Sequence, residues 1–154
     1  MRLWHKYLIP VLPKQQLLGQ WRECCAIAHN IAVKGTPNHI LVNKIMDYPL
    51  GMFTTYTRLV RDEMTRRGYK ISKQAFYNYK YNIDRCSERL DNYNIIETGP
   101  INTLYKDWHD YRYLQICYFN LLEKYNCGGI SDIEFEKVTK TYLNSFYGKQ
   151  AAGS

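Results

Sequence analysis

The clearest structural signal in this chain is residues 13–35, which read PKQQLLGQWRECCAIAHNIAVKG. The apolar residues recur at helical spacing and form one stripe: Leu17, Trp21, Cys24, Ala28 and Ile31. Pro13 is favourable in the first turn of a helix, and Gly35 is a typical stop signal just beyond the end. We therefore predict a first helix from Pro13 to about Val33, with Trp21 at the centre of its buried face.

The rest of the chain repeats this helical period, and alternating β-branched runs are missing. Further helices are predicted over about 49–67, 72–90, 103–125 and 131–143, with a loop over 91–102. Ser72 is a plausible N-cap, and Ser131 with Glu134 forms a capping box. We predict an all-α fold in which residues 1–150 form a single compact domain of about five helices with an irregular aromatic C-terminal tail. Residues 151–154, Ala-Ala-Gly-Ser, read as a scar left by cloning.

Composition limits the class of protein. A chain of 154 residues is the usual size of one domain, and 45% hydrophobic content excludes general disorder. No apolar run reaches the roughly 20 residues of a membrane span, and the N-terminus lacks a secretory signal. A net charge of +7 with 15 tyrosines suits a nucleic-acid partner. A basic protein with a tyrosine-rich core fits the same numbers, so composition alone does not decide.

The five cysteines give no disulfide pattern, because their number is odd and no CxxC motif occurs. A reducing setting is therefore expected, and we predict a cytoplasmic, nucleoid-associated protein without membrane attachment. His109, Cys117 and Cys127 have irregular spacing for a zinc site, so buried thiols are favoured and no metal is predicted.

Glu23 is the one carboxylate on the polar face of the first helix. At about 100° per residue it lies roughly 160° from Trp21. No Lys or Arg stands three or four residues away, so no local helical ion pair is available. Gly19 and Ala26 are small, which would let another segment approach this face. The plainer alternative is a solvated glutamate on an exposed surface.

Three segments, in order along the chain, resemble the pyrimidine dimer DNA glycosylases, the bacteriophage endonuclease V family. The first is LPKQQLLGQWRE at residues 12–23. The second is an aromatic-rich helix that ends in Arg66-Arg67-Gly68-Tyr69, and the third is the tail Phe146-Tyr147-Gly148-Lys149. The resemblance covers about residues 1–35, 48–71 and 142–149, whereas residues 72–141 match poorly.

The resemblance implies a bifunctional glycosylase and AP lyase that uses no metal and no cofactor. Its nucleophile would be the N-terminal α-amine, that of Met1 or, if Met1 is lost, that of Arg2, with Glu23 assisting. An α-amine suits imine chemistry because its pKa is about 7.7–8.0, against about 10.4 for lysine. A carboxylate beside the amine can stabilise the developing positive charge and shuttle protons.

The partner implied is double-stranded DNA containing a lesion or an abasic site, bound by a monomer. Arg22 would hold a phosphate, and phosphate contacts position the duplex. The other predicted DNA-binding residues are His5, Lys6, Arg66, Arg67, Phe146, Tyr147 and Lys149. His5 could also carry protons near neutral pH; the alternative is an ordinary surface histidine.

The second residue departs from the family pattern. Arg2 disfavours removal of Met1, which would leave the amine one residue further out, about 3.8 Å of chain. Either residues 2–5 fold back to aim that amine at Glu23, or the lyase chemistry is lost. Two alternatives therefore stay open: a module that binds damaged or kinked DNA without cutting it, and a helical interaction protein whose positive charge is incidental.

Overall fold

A computed structural model describes residues 1–90 and 101–153, with side chains over 1–88 and 101–145. Five long helices are present: α1 (Lys14–Lys34), α2 (Leu50–Arg66), α3 (Lys73–Leu90), α4 (Tyr111–Asn126) and α5 (Asp132–Gly153). Short 3-10 turns cover Lys6–Val11, Asn43–Asp47 and Ile101–Thr103, and the described residues contain no strand. The prediction of a single all-α domain is confirmed.

Helix α1 is the centre of the fold, because α2 and α3 both pack against it. Trp21 is buried, as its position in the apolar stripe predicts. Pro13 precedes the first turn, and Gly35 ends the helix in the left-handed conformation with φ of 80°. The backbone N–H of Gly35 donates to the carbonyl of Ile31 at 2.8 Å. Both predicted boundaries of this helix are therefore correct to within one residue.

Local capping signals also place other helix ends correctly. The Ser72 hydroxyl accepts from the backbone N–H of Ala75 at 2.9 Å, just before α3 begins. The Ser131 hydroxyl accepts from the N–H of Glu134 at 3.2 Å, just before α5. Gly68, with φ of 81°, follows the end of α2.

The predicted start of the fourth helix is wrong by about two turns. The helix begins at Tyr111, because the Asp110 carboxylate caps it by accepting from the N–H of Tyr113 at 2.9 Å. Tyr105 takes a positive φ of 50°, which interrupts the helical backbone before that point. Trp108 fits the helical period but lies in the intervening turns. Most of the predicted 91–102 loop lies outside the described residues.

The prediction of an irregular C-terminal tail is also wrong, because the backbone stays helical to Gly153. The tail contains no proline, and its internal Gly148 costs only about 1 kcal/mol relative to alanine. Such a cost weakens a helix but does not end one that is already growing from the turn before it. Helix α5 packs against α4 and against the Lys6–Val11 turn.

An aromatic cluster fills the space where α2, α4 and the N-terminal segment meet. Its members are Tyr56, Tyr105, Trp108, His109 and Tyr113. All five are buried, so the tyrosine-rich composition serves the core at this place. Within the described part of the chain, no helix combines the length and the apolar character needed to cross a membrane.

Candidate active site at the N-terminus

Residues 1–5 form a segment without regular secondary structure that is held inside the fold. Leu3 is fully buried and Trp4 is 6% exposed. The hydroxyl of Tyr113 on α4 donates to the carbonyl of Leu3 at 2.5 Å. The start of the chain is therefore fixed by the second half of the protein as well as by α1.

Gln20 on α1 fixes the segment on both sides of Leu3. Its amide nitrogen Nε2 donates to the carbonyl of Arg2 at 2.9 Å, and its Oε1 accepts from the N–H of Trp4 at 2.7 Å. The Tyr56 hydroxyl lies 2.9 Å from the same Oε1 and 2.5 Å from the Trp4 carbonyl, so its proton can serve either oxygen. Gln20 is 1% exposed, and the register of the N-terminal segment on α1 is set by this one amide.

The Glu23 side chain on α1 lies next to the first residues of the chain. Its Oε2 accepts from the backbone nitrogen of Arg2 at 3.4 Å and from Gln20 Nε2 at 3.3 Å. The carboxylate is half-buried, so it is neither freely solvated nor part of the apolar core. Met1 precedes this contact and is 37% exposed. The structure thus brings the backbone of Arg2 to Glu23, whereas the position of the Met1 amine relative to the carboxylate stays a prediction.

Two arginines, Arg22 and Arg2, belong to the segments that meet at this carboxylate. Arg22 is exposed, and its Nη2 lies 3.8 Å from where a Cβ on Gly19 would stand. A side chain at position 19 would be in ordinary van der Waals contact with this guanidinium, which therefore lies along the polar face of α1. The Arg2 guanidinium lies over the ring of Trp4, 5.4 Å from its centroid.

His5 does not lie at the surface. It is 1% exposed, its Nε2 lies 2.9 Å from the carbonyl of His109, and its Nδ1 accepts from the N–H of Tyr7 at 3.1 Å. Burial lowers the pKa of His5 to about 4, so the ring is neutral near pH 7. The predictions that it carries protons near neutral pH or contacts DNA do not fit this environment.

Lys6 is buried too, with 2% of its surface exposed. Its Nζ donates to the carbonyls of Leu104 at 2.5 Å and Asn102 at 3.2 Å. Burial lowers the pKa of Lys6 to about 8. The ammonium group therefore ties the N-terminal region to the turns before α4, and it is not placed to meet a phosphate.

Arg66 and Arg67 differ although they are neighbours at the end of α2. Both donate to the Glu63 carboxylate, but the Arg66 side chain is 65% exposed and that of Arg67 only 18%. Burial by itself would raise the pKa of Glu63, and the hydrogen bonds from the two arginines outweigh it and lower that pKa. Arg67 also donates to the carbonyls of Leu12 at 2.7 Å and Pro10 at 3.1 Å. Arg66 alone of this pair offers charge to a ligand.

The predicted aromatic tail can be placed only by its backbone. Phe146, Tyr147 and Lys149 continue α5, and their side chains lie outside the described part of the structure. Their role at DNA stays a prediction.

A cleft of about 290 Å³ opens beside Arg2. Its basic lining residues are Arg2, Lys44 and Arg112; its acidic ones are Asp107 and Asp110; and its apolar and aromatic ones are Leu41, Trp108, Tyr113 and Ile116. The cleft thus combines cations with apolar surface next to the residue whose nitrogen contacts Glu23.

Gln20, Tyr56 and Tyr113 are site residues whose roles the sequence did not reveal. Gln20 stands three residues before Glu23 on α1, but nothing in the sequence pattern shows that it binds residues 16 and 18 positions earlier. Over the described residues, no group of three or more His, Cys, Asp or Glu side chains is arranged to hold a metal ion.

Comparison with known families agrees with the position of this site. The family model for pyrimidine dimer DNA glycosylase matches residues 1–77, which is half of the chain. The chain belongs to the pyrimidine dimer DNA glycosylase family. The match contains Arg2, Gln20, Glu23 and Tyr56, and it ends within α3. No curated protein and no solved structure gave a significant match.

Membership in the pyrimidine dimer DNA glycosylase family supports a role in DNA repair in general terms. The match does not extend to the aromatic tail at 142–149, so the resemblance of that segment rests on its sequence alone. Tyr113 and Trp108 also lie beyond the matched residues, although they hold the N-terminal segment and line the cleft.

Proposed function

We propose that this protein is a DNA repair glycosylase with AP lyase activity, acting on double-stranded DNA that contains a lesion or an abasic site. The observation that carries the proposal is the contact between the backbone nitrogen of Arg2 and the Glu23 carboxylate at 3.4 Å. Family membership supplies the glycosylase class, and this contact supplies a chemical reason for the lyase step.

The proposed reaction begins when the lone pair of the N-terminal amine forms a bond to C1′. The bond between C1′ and the damaged base breaks, and its electron pair leaves with the base, which takes up a proton. The amine loses a proton, the sugar ring opens with protonation of O4′, and an imine results. Loss of a C2′ proton then expels the 3′-phosphate with the C3′–O electron pair, and water hydrolyses the imine. Glu23 is placed to move protons between the amine and the sugar.

Two amines are candidates for this nucleophile. In a chain that keeps Met1, the Arg2 nitrogen is a peptide nitrogen, and the reactive amine is that of Met1, one residue before Arg2. In a chain that has lost Met1, the α-amine of Arg2 itself lies beside Glu23 in the register that Gln20 fixes. The contact with Glu23 supports the Arg2 amine for a chain that has lost Met1. The Met1 amine is the candidate for a chain that keeps Met1, which is the form that Arg2 favours.

Phosphate contacts are proposed for exposed cations. Arg22 follows from its position beside Glu23, and Arg66 from its 65% exposed side chain. Lys149, with Phe146 and Tyr147, remains proposed from the resemblance. We leave out His5, Lys6 and Arg67, because their polar atoms are already bound within the protein.

A DNA-binding module without catalysis is the second candidate. The observation that favours it is that, in a chain that keeps Met1, the nitrogen at Glu23 belongs to a peptide bond and is no nucleophile, while the Met1 amine lies one residue away from this contact. Such a protein would recognise kinked or damaged duplexes and leave them intact.

Substituting Glu23 separates the two candidates. Glu23→Gln keeps the shape of the side chain and removes its charge, and Glu136→Gln on the exposed face of α5 is a matched control. We expect cleavage of a duplex with one abasic site to fall by at least about 100-fold for Glu23→Gln only, a typical contribution of a proton-transferring group. Equal cleavage by both variants would contradict the proposed role of Glu23. Absence of cleavage by the unaltered protein, with tight binding retained, would favour the binding module.

A further inference from the structure

The loop between α1 and α2 presents two adjacent apolar side chains to solvent. Ile40 is 85% exposed and Leu41 is 50% exposed, whereas Val42 and Ile45, which follow them, are buried. Single exposed apolar residues are common on protein surfaces. Two adjacent apolar side chains at the tip of a rigid loop beside a candidate active site indicate a binding surface.

Hydrogen bonds make this tip rigid. The side-chain oxygen Oδ1 of Asn43 accepts from the N–H of His39 at 3.0 Å and from the hydroxyl of Thr36 at 3.2 Å. His39 Nδ1 in turn accepts from the N–H of Leu41 at 3.2 Å, and Asn38 takes a positive φ of 62°. The loop is thus held in one shape by its own polar groups, and its apolar tip needs no ordering upon binding.

The loop also lies next to the proposed nucleophile. Leu41 and Arg2 line the same cleft, and the Arg2 nitrogen contacts Glu23. Lys44 and Arg112, both exposed, line that cleft as well. Asp107 and Asp110 line it too, but with Arg2 the cations outnumber them by three to two. An apolar tip beside such a lining suits a nucleic-acid duplex, whose phosphates surround an apolar base stack.

We propose that Ile40 and Leu41 form an apolar wedge that enters the base stack of double-stranded DNA beside the lesion while Lys44 and Arg112 hold the flanking phosphates. This inference rests on the proposed function and adds to it the device that opens the duplex. Stacking is weakest at an abasic or damaged nucleotide, so the tip enters there at the least cost. The opened step brings C1′ within reach of the N-terminal amine.

The test compares duplex and single-stranded substrates. The substrates are an abasic oligonucleotide alone and the same oligonucleotide paired with its complement. The variant is Ile40→Ser with Leu41→Ser, and the control is Ile133→Ser. The control changes a 69% exposed isoleucine on α5, none of whose described side chains lines the cleft. We expect the double variant to cleave the duplex about 10-fold or more slowly, with cleavage of the single strand and thermal stability unchanged.

A second readout follows the opening itself. A 2-aminopurine base beside a non-cleavable abasic analogue becomes fluorescent when it is unstacked. We expect the unaltered protein and Ile133→Ser to raise this fluorescence, and the double variant to bind the duplex without raising it. Equal behaviour of the double variant and the control on the duplex would overturn the wedge. A dimeric unaltered protein with a monomeric double variant would also overturn it, since the tip would then be a contact between two copies of the chain.

Failure of the proposed function gives a different result. If the unaltered protein cleaves neither substrate but still unstacks the 2-aminopurine, the wedge stands and the lyase fails. If it cleaves the single strand and the duplex, and the double variant does so at equal rates, the lyase stands and the wedge fails.

Discussion

Gln20 is the side chain on which the geometry of the candidate site depends most. Its amide meets Arg2 and Trp4 on the N-terminal segment and Glu23 on its own helix, so each of its polar atoms has a partner. A buried amide with all partners present specifies one arrangement of the segments it joins. Gln20 is a positioning residue, because it acts on the reaction through the register of the N-terminus.

Replacing Gln20 should affect both stability and activity. Gln20→Ala leaves the Trp4 N–H and the Arg2 carbonyl without their partner, which costs about 1–3 kcal/mol for a buried group. Gln15→Ala, on an exposed position of α1, is the control and should be nearly neutral. Urea unfolding measures the difference. Gln20→Ala should also cleave the abasic duplex more slowly, because imine formation is slower. Equal stability of Gln20→Ala and Gln15→Ala would contradict this account.

His5 gives the protein a pH-dependent stability. Its pKa is about 4 in the folded protein against 6.5 for the free side chain, and that of His109 is lowered as well, in both cases first of all by burial. The unfolded chain therefore binds more protons between pH 6.5 and 4, and the stability present above pH 6.5 is lost as pH falls through that range.

The expected slope from His5 is up to about 1.4 kcal/mol per pH unit between pH 6.5 and 4, and His109 adds to it in the same direction. His5→Gln should flatten this dependence, measured as the free energy of unfolding at several pH values. His29→Gln, at an exposed position, is the control and should leave the slope as it is. Parallel curves for His5→Gln and the unaltered protein would show that His5 does not supply the dependence.

At the scale of elements, α1 contributes core residues from one face and Glu23 of the candidate site from the opposite face. Its apolar stripe predicts one face directly, and its ends carry the proline and the left-handed glycine that make the boundaries predictable. The start of α4 is not predictable in this way, because Trp108 continues the helical period while Tyr105 takes a positive φ. The tail of α5 is helical although its composition suggests irregular structure.

The 3-10 turn Lys6–Val11 explains why His5 and Lys6 are placed wrongly from sequence alone. This short turn contains Pro10 and has no amphipathic period, so nothing in the pattern marks which of its side chains are buried. Their burial follows from contacts with the residues before α4, about 100 positions away. Glu23 could be singled out from its face of α1, whereas the amine beside it came from the family resemblance.

Arg67 joins this turn to α2, which gives a prediction at the same scale. Arg67→Ala removes hydrogen bonds to the Leu12 and Pro10 carbonyls and one to Glu63, and we expect it to lower stability by about 1–3 kcal/mol. Arg66→Ala is the matched neighbour; its side chain is exposed, so this substitution should lower stability less than Arg67→Ala does. Thermal unfolding compares them, and the reverse order would refute the structural role given to Arg67.

At the scale of the whole molecule, the two halves of the chain contribute differently to one site. The family match covers residues 1–77, which supply Arg2, Gln20, Glu23 and the exposed loop tip. The second half supplies Tyr113, which binds the Leu3 carbonyl, and part of the cleft beside Arg2. The net charge of +7 suits binding of a polyanion by the assembled surface. The monomeric state stays a prediction.

The measurement that tests the central claim most directly is borohydride trapping on a duplex with one abasic site, followed by peptide mapping of the adduct. The account predicts a covalent product on the N-terminal peptide, at the amine of Arg2 or Met1, and a loss of that product in Glu23→Gln but not in Glu136→Gln. An adduct on Lys6 or another internal lysine would keep the lyase and contradict the proposed nucleophile. No adduct from folded protein bound to that DNA would contradict the imine mechanism itself.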